Sequence, residues 1–198
     1  MAKSESTTTS VVYSKVNSGQ KVRDALNGMS GDIDNCIQWV DDSSTTHYAD
    51  FIEVTRFDED GTKNDGCFSF IGKTTNGAQR LNLGANCLSV GTIQHEFLHA
   101  AGFFHEHTRA DRDDHVIVYM DNIKENYRIN YEKVPDDKWL DVASPYDQQS
   151  VMHYGSTYFR TDAAADADQY AMTDLQVVFC KRTIFLTRNF FNTNFLNT

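Results

Sequence analysis

Gly91-Thr92-Ile93-Gln94-His95-Glu96-Phe97-Leu98-His99-Ala100-Ala101-Gly102-Phe103-Phe104-His105 is the stretch from which the rest of the chain is read. Ile93, Phe97, Leu98 and Ala101 recur at three- and four-residue spacing, the apolar stripe of an amphipathic helix. A helix is therefore predicted over residues 91–101, ending at Gly102, the residue type that accepts a left-handed turn without steric cost. His95 and His99 are four apart and share one face of that helix, so both imidazoles can converge on one ion. Glu96 sits beside them without needing to be a ligand, where it can take a proton from an activated water. His105 would face elsewhere on a continuous helix. The break at Gly102 lets the chain reverse and bring a third imidazole back.

The whole chain has 198 residues, the scale of one domain or of two small lobes sharing a core. Lys and Arg number 18 against 28 Asp and Glu, a formal charge of −10, so no basic stripe is available to neutralise phosphates and nucleic-acid binding is not expected. No apolar run approaches the ~18 residues of a membrane span. Residues 1–10 are polar and Ser/Thr-rich, without the apolar centre of a secretory leader, and are expected to form a flexible arm. Four cysteines, Cys36, Cys67, Cys87 and Cys180, contain no C-x-x-C pair and permit either free thiols or two disulfides in three connectivities. A Cys67–Cys87 bond would contribute about 3 kcal/mol by chain entropy, and a Cys36–Cys180 bond about 5 kcal/mol.

Along the chain, strands are predicted at residues 10–16, 36–40, 49–57, 67–71, 80–83 and 115–120. A helix is predicted from Ser18, its N-cap, to about Asn35, with Val22, Ala25, Leu26, Met29 and Ile33 in step. A further helix is predicted from Asn122 to about Val134, with Ile123, Tyr127 and Tyr131 in step. Strands dominate the first half without regular strand–helix alternation, which is an α+β pattern.

A bare H-E-x-x-H occurs by accident in many helices. The full spacing here is the H-E-x-x-H-x-x-G-x-x-H signature and resembles the metzincin zinc peptidases. No G-x-S-x-G, G-x-G-x-x-G or P-loop competes with it. Downstream of His105 the chain reads Glu106-His107-Thr108-Arg109-Ala110-Asp111-Arg112-Asp113, and Ser150-Val151-Met152-His153-Tyr154 follows about forty residues later. These two motifs, in this order, are similar to the long signature and the methionine turn of the astacin family. The likeness is good over roughly residues 36–156.

That resemblance implies a two-lobed α+β domain: a twisted, mostly parallel sheet with one antiparallel edge strand and the active-site helix above a cleft, followed by a mostly irregular C-terminal lobe. The lobes would fall at about residues 11–102 and 103–180, with 181–198 a tail of unassigned role. It implies zinc-dependent endopeptidase activity on protein or peptide substrates, with one catalytic Zn2+ and a secreted, extracellular setting. His95, His99 and His105 match the zinc ligands, Glu96 the general base, and Tyr154 a further ligand that swings away to stabilise the tetrahedral intermediate. Met152 matches the methionine packed beneath the metal. His47, His107, His115 and His153 match no ligand. Glu106 matches the partner of a buried N-terminal ammonium, and Arg109 to Asp114 a salt-bridged turn supporting the third histidine. The family's disulfide order pairs Cys67 with Cys87 and Cys36 with Cys180. Two competing expectations are a catalytically silent domain that keeps fold and zinc, and a chain too incomplete to fold well. The sequence does not assign an oligomeric state.

Overall fold

Val22, Ala25, Leu26 and Met29 recur at helical spacing and all are buried, which is why residues around them form α1 (Gly19–Asp32) with one face turned inward. The computed structural model describes residues 7–13, 19–32, 37–41, 49–58, 60–74, 76–135 and 144–175. Cys36, Cys180, the Ser18 cap, Ile33, His47 and the tail 181–198 lie outside the described residues.

The chain divides into two compact units, Met1–Phe104 and His105–Thr198. In the first, a five-stranded sheet runs in the order β2 (Ile37–Asp41), β1 (Thr7–Tyr13), β3 (Phe51–Thr55), β5 (Ala78–Leu83), β4 (Cys67–Ser69). The β2–β1, β1–β3 and β3–β5 pairs are parallel, and β4 joins the edge antiparallel to β5, as the sequence resemblance implied. One expectation is corrected. Residues 7–10 are not part of an arm, because their backbone pairs with β2 in the register Thr7↔Ile37 to Ser10↔Val40. Ladder hydrogen bonds need no apolar side chain, so this Thr-rich run enters the sheet without a hydrophobic signal in its sequence.

The core of this unit gathers Ile52 and Val54 of β3, Leu81 and Leu83 of β5, the apolar face of α1, and Ile93 and Phe97 of α2 (Val90–Ala100). Burial of each such side chain stabilises by about 1.5–3 kcal/mol. Trp39 meets Phe97 edge-on, with ring centroids 5.1 Å apart. Ala101, expected in the stripe of α2, is exposed, because the helix has already ended there; Ala100 packs on the core instead.

Two residues seat the loops around the edge strand. Buried Asn82 donates through Nδ2 to the carbonyls of Asn64 (3.1 Å) and Gly66 (2.6 Å). Gly84 lies so close to Asp65 that a Cβ would sit 2.3 Å from its backbone, so only glycine fits. This brings Cys67 to Cys87, and the two form a disulfide with Cα atoms 5.6 Å apart.

The second unit has little regular structure. It holds a two-stranded antiparallel ladder of β6 (Val116–Val118) and β7 (Met172–Asp174), the single-turn α3 (Asp162–Asp166) capped by Thr161, and 3-10 turns at Glu106–Thr108, Arg112–Asp114, Met120–Asn122 and Glu125–Tyr131. The continuous helix expected at 122–134 does not form. Ile123 is extended, and the Lys124 N–H donates to the Phe159 carbonyl at 2.9 Å, which pulls the chain out of α geometry. Ile123 and Tyr131 are buried all the same, beside Val116, Ala171 and Met172. Among the described residues, no helix is long and apolar enough to cross a membrane.

Candidate metal centre

Helix α2 starts at Ser89, whose Oγ accepts the Thr92 N–H at 3.1 Å. It ends where Gly102 takes φ +105°, a left-handed conformation that strains any other residue. The His99 carbonyl accepts both the Gly102 and the Gly72 N–H at 2.8 Å, so the end of the helix is tied to the loop after β4. Gln79 holds that loop from β5, donating through Nε2 to the Gly72 carbonyl and accepting the Thr74 N–H, each at 2.8 Å. The chain then runs three residues from the break to His105.

Within this single continuous stretch, one ring nitrogen from each of His95, His99 and His105 lies within 4.8 Å of the others, close enough to share one ion. The rings of His95 and His99 are 4.6 Å apart and nearly perpendicular. His99 is buried, and its Nδ1 lies 2.8 Å from the Phe103 carbonyl. A carbonyl only accepts, so Nδ1 carries the proton and Nε2 presents its lone pair, the tautomer a ligand needs. Burial lowers the His99 pKa to about 4, outweighing the Phe103 hydrogen bond; charge on His95 acts in the same direction. The imidazole therefore stays neutral near pH 7.

Glu96 is buried, and burial pushes its carboxyl up to about 7. Its Oε2 is enclosed and has no hydrogen-bond partner. A buried unpaired carboxylate oxygen is costly unless something completes it. The three-nitrogen donor set and this orphaned oxygen together fit a zinc ion with an associated water. The grouped imidazoles are those of residues 95, 99 and 105, and Glu96 lies on the same helix as the first two.

Other expected residues fall in the second unit. The ring of Tyr154 lies 4.5 Å from that of His105. Met152 is buried, and its carbonyl accepts the Glu106 N–H at 2.9 Å, linking the methionine turn to the residue after the third histidine. Glu106 Oε1 accepts from Arg109 Nη1 (3.1 Å) and from the Asp147 N–H (2.9 Å); Met1 lies outside the described residues. Arg109 also grips Asp111 through two hydrogen bonds, at 2.9 and 2.8 Å. Arg112 is buried and donates to the carbonyls of His107 and Tyr131, so the arginines of the charged run are built into the turn while Asp111 and Asp113 face outward.

None of His107, His115 and His153 joins the three-histidine group. His115 stacks on Tyr146 at 4.5 Å. The local roles of His107 and His153 around Tyr154 were not legible in the sequence; both lie inside the quoted motifs, yet nothing in their spacing distinguishes a buttress from filler.

The chain is similar to proteins of one peptidase family. Residues 7–185 match the family model described as Astacin, a peptidase family. The chain is 46% identical over 98 residues to human meprin A subunit beta, a stretch covering 50% of this chain and 14% of that protein. It is 44% identical over 115 residues to astacin-like metalloprotease toxin 5 of Loxosceles gaucho, covering 56% of this chain and 61% of the toxin. Among solved structures, high choriolytic enzyme 1 of Oryzias latipes, described as a hatching enzyme zinc-protease, superposes with a TM-score of 0.68 at 30% identity. That match covers 84% of this chain and 76% of the other. The chain thus spans only a small part of the meprin subunit's length.

Proposed function

Because the chain belongs to the astacin family of zinc metallopeptidases, we propose that it hydrolyses internal peptide bonds of protein or peptide substrates, using one zinc ion held by His95, His99 and His105. The observation that carries this reading is the unpartnered, buried Glu96 oxygen on the same helix as two of three clustered imidazoles.

Zinc, when bound, supplies a Lewis acid able to acidify water to a pKa near ~7 and to polarise a carbonyl. Glu96 takes the proton of the attacking water and passes it to the nitrogen of the departing amine. Its place on the same helix as two of the clustered imidazoles suits both transfers. Neutral His95, His99 and His105 add no negative charge to the ion, which favours deprotonation of that water. Tyr154 contributes a ligand at rest and a hydroxyl donor to the oxyanion that develops on the attacked carbonyl. Its ring's place beside His105 supports that role. The turn built on Arg109 and Arg112 holds the third ligand. We place the activity outside the reducing cytosol, on the strength of the Cys67–Cys87 bond.

The test is casein cleavage with and without a zinc chelator, beside metal analysis. Chelator-sensitive cleavage is expected. Zinc without cleavage would identify a silent binding domain instead. Glu96→Gln should retain one zinc per chain and lose turnover by about 10²-fold or more. Proteolysis at the wild-type rate in that variant, with zinc present, would remove Glu96 from the mechanism.

A further inference from the structure

The proposed reaction needs the Tyr154 phenol to leave one position and arrive at another, so something must fix the plane in which it turns. His107 is fully buried, at 0% exposure, and is not one of the three clustered histidines. Its ring stacks on that of Tyr154, with centroids 4.2 Å apart and planes at 29°. Its Nε2 lies 3.0 Å from the Asn130 carbonyl, which only accepts, so Nε2 carries the proton. The lone pair then left on Nδ1 accepts the Tyr154 backbone N–H at 3.4 Å. One neutral tautomer satisfies both ends. Tyr131, also fully buried, closes the back of the pair, with its ring 5.1 Å from His107 and 5.6 Å from Tyr154. Its hydroxyl donates to the Tyr158 carbonyl at 2.7 Å, which fixes Tyr131 in turn. The carbonyl side of Tyr154 is held separately, by a 2.8 Å hydrogen bond from His153 Nδ1, whose Nε2 accepts the Tyr146 hydroxyl at 2.7 Å.

A phenylalanine at 107 would fill the same space without desolvating two nitrogens. The nitrogens hold the ring in register with the Tyr154 N–H and the Asn130 carbonyl. We propose that His107 is a positioning residue for the hydrolysis: its face is the platform against which the Tyr154 phenol lies, and its Nδ1 and Nε2 bolt that platform to residues 154 and 130. This inference rests on the catalytic role assigned above to Tyr154.

A double-mutant cycle on the full zinc-loaded chain tests it, with wild type, His107→Ala, Tyr154→Phe and the double variant compared on one peptide substrate. His107→Ala should keep one zinc per chain, leave KM within about twofold and lower kcat by about 10- to 100-fold. In the Tyr154→Phe background the same change should cost less than about twofold in kcat. A second readout does not depend on turnover. In the copper(II)-exchanged protein, the tyrosinate-to-copper charge-transfer band should be absent in Tyr154→Phe and weakened or shifted in His107→Ala. Equal losses of kcat in both backgrounds, or an unchanged band, would overturn the proposal and leave His107 a core residue. If His107→Ala does not fold, His107→Gln enters the same cycle. Its amide can serve Asn130 and the Tyr154 N–H but offers no ring, so partial loss of kcat is expected; full activity would overturn the platform. Should Tyr154→Phe itself turn over like wild type, the role of Tyr154 fails first, and that outcome is distinct from a failure of His107 alone.

Discussion

Residues up to Phe104 and residues from His105 onward satisfy their backbones by different means. In the first unit, ladders and helices pair most of the main chain with itself, Asn82 and Gln94 add side-chain bonds to distant carbonyls, and an apolar core of α1, α2, β3 and β5 fills the space between. In the second, side chains reach to main-chain carbonyls over long sequence distances. Arg112 serves His107 and Tyr131, Arg109 serves Ser144 and Pro145, Asn122 serves Tyr170, and Tyr131 serves Tyr158. Truncating that core leaves a cavity, whereas truncating Arg112 or Arg109 leaves orphaned carbonyls. The two costs scale differently, by volume removed in one case and by unmet hydrogen bonds in the other.

The largest expected effect is in the first unit. Phe97 is fully buried and meets Trp39 edge-on. Phe97→Ala should cost about 3–5 kcal/mol in urea unfolding, because the cavity lies among residues of both helices and the sheet. A loss below ~1 kcal/mol would show that the site collapses freely and would break the cavity half of the comparison. The second effect is smaller and of the other kind. Arg112→Lys keeps the charge and most of the stem, but one ammonium cannot replace a planar fork that serves two carbonyls and Asp113. A loss of about 1–3 kcal/mol is expected, with amide protection falling first in residues 106–134. If lysine is as stable as arginine, these carbonyls are satisfied otherwise and the contrast weakens.

The same difference decides what could be read in advance. Val22, Ala25, Leu26 and Met29, and Ile93 with Phe97, announce their helices because burial on one face imposes a period. The clustering of the three histidines was legible because their spacing is one that a helix and a glycine break can bring together. The Thr-rich β1 was placed too late in the chain, since backbone pairing with β2 leaves no mark in side-chain pattern. Around residues 122–134 the pattern misled: Ile123 and Tyr131 are both buried, yet Tyr127 between them is 40% exposed, and the chain there is a series of 3-10 turns. Support through Arg112 and His107 depends on carbonyls 19 and 23 residues away, a distance no local period encodes.

The smallest effect separates the exposed from the buried part of the charged turn. Asp111 is 44% exposed, and its two hydrogen bonds to Arg109 hold its carboxyl below the usual carboxylate range, against the opposing pull of desolvation. A carboxylate whose pKa is lower folded than unfolded contributes stability that is whole above its unfolded pKa, near ~3.9, and is lost as pH falls through the folded value. Asp111→Asn should therefore melt below wild type at pH 6 by a small margin, and the gap should close as pH drops below about 4. Partial exposure keeps the margin at the scale of a surface pair, so added salt should narrow it as well. Melting curves of both proteins from pH 7 to pH 2 read the effect directly. A gap independent of pH would mean that Asp111 acts by packing and not by charge, and that this edge of the turn belongs with the first unit's kind of stability.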